Sequence, residues 1–319
     1  MNFRILIGAI TGVCALVATA SAQSLNLNQY VLVGAYDMPA AAYETSAVTY
    51  NWDRDSLVVL DDEGFDVVEI SKTGVELGRI LLANHPPQGS VNVGDTEGLT
   101  YLGNNQYVLG QERNRNVFKF TTLFPAVIET IDLTTEAHGN RLFGASDNVG
   151  NMGLEGISYD PMTSTFLGVK EHTPIEIYRF TFDDLGAQAI TTTLFNSSII
   201  AALGVTDLAD VQSLGAVPSL AGSGREDNFL VLSEESSKVL ELDSDGTVLS
   251  TLDLSADTAN WAHEGVTIDH AGYIYVVAEQ TDNTTTGRMF VYAPVPEPSA
   301  ALLLTGSLGF FAARRRRKS

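Results

Sequence analysis

The chain has a single cysteine among 319 residues, Cys14, and it lies in an apolar run near the start. A disulfide framework and a cysteine-ligated metal centre are therefore excluded for the body of the protein. Thr11-Gly12-Val13 before Cys14 also make a poor lipidation box. Basic residues are scarce, with 18 Lys and Arg against 39 Asp and Glu and a formal net charge of −21. Arg4 and the run Arg314 to Lys318 supply six of those 18, so residues 23–295 hold 12 basic against 38 acidic side chains, a balance of −26. Such a surface repels phosphate backbones, which excludes nucleic acid as a partner and favours solubility or cation uptake. Long helical periodicities are missing, as are a His-Glu-x-x-His helix, a nucleophile elbow and a glycine-rich phosphate loop.

What the chain does have is repetition. Glu97-Gly98-Leu99-Thr100-Tyr101 leads to Glu112, Glu155-Gly156-Ile157-Ser158-Tyr159 to Glu171, and Glu264-Gly265-Val266-Thr267-Ile268 to Glu279. Two degenerate copies run from Ser46-Ala47-Val48-Thr49-Tyr50 to Asp62 and from Leu214-Gly215-Ala216-Val217 to Glu234. The copies recur about every 50 to 60 residues, a period of stacked or circular β architectures.

Both ends read as targeting segments. Arg4, the apolar run Ile5 to Ala18 and Ala20-Ser21-Ala22 form a Sec-type export signal over 1–22, with cleavage expected before Gln23. At the other end, over 295–319, Val295-Pro296-Glu297-Pro298 precedes the mostly apolar Ala300 to Ala313 and then Arg314 to Lys318. Fourteen helical residues span only about 21 Å, short of the bilayer core, and the basic cluster holds its end on the cytoplasmic side. This tail resembles the PEP-CTERM sorting signal of Gram-negative bacteria. The resemblance implies an exosortase as partner, membrane contact through the tail before processing, and release to the cell surface, outer envelope or extracellular matrix.

The body, 23–294, reads as four short strands per repeat. They are expected over 47–50, 56–60, 66–70 and 76–82, then 98–102, 106–110, 117–121 and 127–133, then 156–159, 165–169, 176–181 and 189–195, then 215–218, 228–232, 238–242 and 247–254. The fifth repeat offers only 265–269, 273–278 and 288–292, while a spare strand, 29–36, precedes the first repeat. Pairing that strand into the last blade closes a ring and removes two sheet edges. The expectation is an all-β, five-bladed β-propeller closed by its N-terminal strand, with six blades as the alternative because of long inserts at 85–94, 136–153 and 196–210.

In a tight hairpin the residue entering the first strand neighbours the residue leaving the second. Glu97 and Glu112, Glu155 and Glu171, and Glu264 and Glu279 should therefore meet on one rim, joined by Asp62 and Glu234. In a propeller that rim surrounds the central channel. Eight carboxylates there would favour a counter-cation, and an oxygen-only set suits calcium. The alternative is that these side chains cap strand N–H groups or face water.

The body resembles the SdiA-regulated family of propellers. The likeness rests on Leu154 to Pro161 (LEGISYDP), on Phe229 to Ser236 (FLVLSEES) running into Val239 to Asp243, and on His263 to Asp269 (HEGVTID). It implies a calcium-binding envelope or periplasmic propeller with no well-established reaction. Ser46 and Leu214 stand where other repeats have glutamate, so the ring of acids is incomplete.

The resulting functional expectation is a surface or matrix binding module, its ligand unspecified. Its rival is a metal-dependent, phytase-like phosphoester hydrolase on the same rim. For that chemistry the phosphate-gripping candidates are few: Arg113, Arg115, Lys119, Lys170 and Arg179. Glu171-His172 and His263-Glu264 place an imidazole beside a rim acid, but adjacent strand residues face opposite ways, so only one of each pair can reach the channel.

Overall fold

Successive antiparallel hairpins, each too small to bury its own apolar faces, stack around an axis as five sheets. The computed structural model describes residues 25–295 except 62–65, 82–95, 113–115, 123–126, 131–139, 142–152, 172–173, 182–189, 196, 259–260 and 280–285. The export signal, the sorting tail beyond Val295, Asp62, His172, Arg113 and Arg115 thus lie outside the described residues.

Blade 1 consists of Thr45–Asn51, Ser56–Asp61, Asp66–Ile70 and Glu76–Leu81, and blade 2 of Thr96–Gly103, Gln106–Gln111, Asn116–Thr121 and Asn140–Arg141. Blade 3 is Gly156–Asp160, Thr165–Lys170, Glu176–Thr181 and Ile190–Thr193; blade 4 is Asp210–Ser213, Phe229–Ser233, Lys238–Leu242 and Val248–Asp253. Blade 5 takes His263–Ile268, Ile274–Ala278 and Arg288–Pro294 from the end of the chain and Tyr30–Asp37 from its beginning. The ring closes with five blades, so the six-bladed alternative is set aside. Tyr30 pairs with Pro294 and Asp37 with Arg288 across the closing seam.

Two strand assignments differ from the sequence reading. The segment 127–133 was expected on the outside of blade 2. Instead Val127–Thr130 joins blade 1 as a fifth strand, parallel to Glu76–Leu81, and Asn140–Arg141 takes the outer place in blade 2. The inner strand of blade 4 is Asp210–Ser213 and not 215–218. Leu214 to Leu220 fold into consecutive tight turns, Val217 N–H donating to Leu214 O and Leu220 N–H to Val217 O, with Pro218 starting a 3-10 turn. Short helices, Ser197–Ala202 and Ser255–Thr258, sit in connections between strands.

The middle strands read as continuous apolar runs because both of their faces are covered by neighbouring blades. Leu57, Val59, Val68 and Ile70 pack against Tyr275, Val277 and Met289 of blade 5, while Val58, Leu60 and Val67 pack against Leu99, Tyr107 and Phe120 of blade 2. All of these side chains are buried.

Around the axis, polar side chains tie one inner strand to the next. Tyr101 N–H donates to Thr49 Oγ1 (3.1 Å), Tyr159 N–H to Thr100 Oγ1 (2.8 Å) and Ser213 N–H to Ser158 Oγ (2.9 Å). Thr267 Oγ1 donates to Gln212 Oε1 at 2.8 Å. The glycine of the Glu-Gly motif belongs to the same close approach. A Cβ on Gly156 would lie 2.5 Å from Asp210 Cα, and one on Gly265 would lie 2.9 Å from Val48 N.

The start of the chain is tied to blade 4. Leu27 N–H donates to Ser250 Oγ (3.1 Å), which donates to Glu241 Oε2 (2.7 Å), and the Arg225 guanidinium bonds both Glu241 oxygens and Leu25 O.

Candidate functional site: the acidic mouth of the channel

Three inner strands begin with a β-bulge, and the extra residue is the one the repeat marks. Thr96 and Gly98 pair with consecutive residues, Gln111 and Gly110, so Glu97 is the extra residue between them; Ser46 and Glu264 stand alike between Thr45 and Ala47 and between His263 and Gly265. A bulge re-aims its side chain, and here it turns Glu97 and Glu264 toward the axis. Glu112, Glu171, Glu234 and Glu279 each follow the last residue of a second strand and line the same cavity.

Together they enclose a cavity of about 170 Å³ lined by Ser46, Glu97, Glu112, Glu155, Glu171, Ala209, Glu234, Glu264 and Glu279. Seven of the eight expected acids therefore share one mouth, and the eighth, Asp62, lies outside the described residues. Ala209, not Leu214, fills the blade 4 position, and Leu214 is core. Ser46 contributes a hydroxyl already committed to Thr96 O at 2.7 Å.

The charge in this cavity is poorly solvated. Burial raises the Glu155 carboxyl well above the ordinary range, and the charges of Glu112, Glu171 and Glu264 push it further. Burial likewise raises Glu264, with Glu279, Glu234, Glu171 and Asp207 adding repulsion. Glu155 shares a hydrogen bond with Glu112, yet its Oε1 is fully buried with no hydrogen-bond partner. Among the described residues that line the cavity, none is basic.

Two further acids support the mouth without opening into it. Asp207, fully buried, accepts from Ser233 Oγ, from Glu234 N–H (2.8 Å) and from Glu235 N–H (3.2 Å), which fixes the end of the strand that carries Glu234. Asp210 replaces the motif glycine in blade 4 and accepts from Val266 N–H (2.8 Å) and Val211 N–H (2.7 Å). Burial nevertheless raises its carboxyl well above the usual range. The repeat pattern missed Ala209 and Asp210 because both hallmark positions are substituted there; the remaining signal was the Val-Gln-Ser that follows, matching Val-Thr and Ile-Ser elsewhere.

With this geometry in view, the sequence of residues 22–282 matches the SdiA-regulated family. The chain belongs to that family. Solved structures similar to this SdiA-regulated chain include a luciferin-regenerating enzyme, 9% identical, with 82% of this chain and 95% of that chain covered and a TM-score of 0.45. A gluconolactonase candidate is 11% identical, with 80% of each chain covered and a TM-score of 0.45.

The catalytic candidates at the rim resolve differently. His263 faces away from the cavity, is fully buried and shares a 2.7 Å hydrogen bond with Thr258 Oγ1; burial lowers it to about 4. It is neutral at ordinary pH and belongs to the packing between Phe290 and the Ser255–Thr258 turn. Lys170 donates to Pro174 O, and Arg179 bonds Asp160, Thr163 and Thr165 at the other end of blade 3. Lys119 does not line the cavity either.

Proposed function

We propose that this SdiA-regulated propeller is an exported surface or matrix binding module whose acidic mouth holds a divalent cation of the calcium class. The observation that carries the reading is Glu155 Oε1, a buried carboxylate oxygen without a hydrogen-bond partner among the described residues, set among six other glutamates. A hard cation accepting six to eight oxygens would satisfy that atom and offset the mutual repulsion. Among the described residues no group of three acids or histidines is already gathered in ligating geometry. Glutamate side chains would therefore rotate about their χ angles to meet the ion. The export signal and the PEP-CTERM-like tail supply the surface destination, with an exosortase-type enzyme reading the tail.

Calorimetric titration of the chain with calcium and with magnesium tests this. Calcium binding that falls at least about tenfold in Glu155→Gln, or about 1.4 kcal/mol, supports it; no heat with either ion rejects it. A generic phosphoester added to the calcium-loaded protein separates module from hydrolase. Turnover lost in Glu155→Gln would establish the hydrolase.

A further inference from the structure

The two faces of the disc differ in kind, and both chain ends leave by the same one. Inner strands run from the acidic mouth to the opposite mouth, which is ringed by Tyr50, Trp52, Tyr101, Tyr159 and His270. The third strand of blade 5 runs the same way, so Pro294 and Val295 emerge on the aromatic side. Val295 N–H donates to Gln29 O at 2.8 Å, which brings the start of the folded chain to the same corner. Leu25 borders a hollow shared with Ile268 and Gly272 at that end.

A second observation is independent of the chain ends. Exposed large apolar side chains among the described residues are Val31, Val33, Val75, Leu77, Met162, Leu249, Tyr273 and Val295. Val75, Met162 and Tyr273 sit in or beside turns on the aromatic face, and Val31, Leu77 and Leu249 are each the second residue of an outer strand starting there. Val33 lies midway along its strand, and none of the eight belongs to a turn on the acidic side. Among the described residues, exposed apolar side chains are thus found mainly at the end of the disc from which the chain leaves.

The sequence beyond Val295 says what that surface meets. Only Pro296, Glu297, Pro298 and Ser299 separate it from the apolar Ala300 to Ala313, a reach of about 14 Å at most. We infer that, while the tail is embedded, the aromatic face bearing Val75, Met162, Tyr273 and Val295 lies against the lipid bilayer and the acidic mouth opens away from it. The inference rests on the membrane reading of the tail made above. Tyr50 and Tyr101 of that mouth are buried, and Tyr273 is the exposed ring on this face suited to the headgroup level. The opposite arrangement would press seven glutamates toward a low-dielectric surface.

The test uses the full chain carrying Cys14→Ser, reconstituted into phosphatidylcholine vesicles that contain a lipid-borne nitroxide quencher. One fluorophore is placed by Met162→Cys on the aromatic face, another by Glu235→Cys in the exposed turn beside the acidic mouth. Six-residue strands set the two about 20 Å apart along the axis. Fluorescence at position 162 is expected to be quenched and that at 235 spared. Equal quenching, or stronger quenching at 235, overturns the orientation. Failure of the chain to float with vesicles overturns the tail reading on which it depends, while leaving calcium binding to be judged by its own titration.

Discussion

Glu241 and Glu155 are both buried glutamates, and they live under opposite conditions. Glu241 meets Arg225 at 2.6 and 2.8 Å, Asn228 Nδ2 at 2.9 Å and Ser250 Oγ at 2.7 Å, so its charge is fully answered. Glu155 faces other acids, with one oxygen unanswered. Blade 1 repeats the first arrangement, where buried Glu69 receives Arg54 Nε and Ser56 Oγ, both at 2.6 Å. The same fold that satisfies these acids at its blade edges leaves Glu155 Oε1 at its axis without a hydrogen-bond partner among the described residues, which separates a carboxylate that holds the structure together from one set among like charges.

The largest effect should come from breaking the satisfied member. Glu241→Ala strands Arg225, Asn228 and Ser250 and frees the start of the chain; a loss of about 3 kcal/mol is expected, toward the lower part of the range for broken buried pairs because Arg225 is 29% exposed. Urea unfolding measures it, and a loss within 0.5 kcal/mol, as for an ordinary surface change, would contradict the assignment. Next comes Asp210→Ala, which leaves the Val266 N–H without an acceptor between blades 4 and 5. About 2 kcal/mol is expected for that buried donor, read by the same unfolding curves.

The unsatisfied member should behave in the reverse sense. Glu155 and Glu264 have folded-state affinities for protons raised above those of the unfolded chain, so the folded state binds more protons above pH about 4.5. Stability of the cation-free protein from these two groups therefore falls as pH rises through the range between the unfolded and folded values. Thermal melts should show Glu155→Gln as stable as the parent or more so at neutral pH, with a shallower pH dependence. A parent curve as flat as that of the variant would show that the cavity charge is already compensated. The smallest effect is expected at Lys72→Ala. Lys72 bridges Asp55 and Asp269, but Asp269 keeps Ala271 N–H, Tyr273 N–H and Tyr275 OH, so the loss should stay below about 1 kcal/mol in the melts.

The ring and its closing strand were legible because a propeller repeats one local pattern, and Glu-Gly recurs where an inner strand needs both an axial side chain and a close neighbour. Blade 4 was misplaced because Ala209-Asp210 erase that signature, while Leu214-Gly215 imitate half of it. Asp210 tolerates the glycine position by sending its carboxylate across to Val266 rather than into a clash. The fifth strand of blade 1 was hidden for another reason: Val127–Thr130 carries no mark of which sheet it will join, and that choice is made by tertiary contact. The bulges at Ser46, Glu97 and Glu264 were equally invisible, since a one-residue offset in a ladder leaves composition unchanged. Seven acids nonetheless reached one mouth, because their spacing to strand ends survives such an offset.

The closing seam also has a consequence in time. Tyr30–Asp37 is among the earliest segments of the folded body to be synthesised, and its partner Arg288–Pro294 among the last. Four blades can form from neighbours in sequence, but the fifth must wait until nearly the whole polypeptide is present. Completion thus demands a contact between opposite ends, the slowest kind to find. If the chain is exported as proposed above, such a latch delays commitment to the final disc until passage through the translocation pore is almost over.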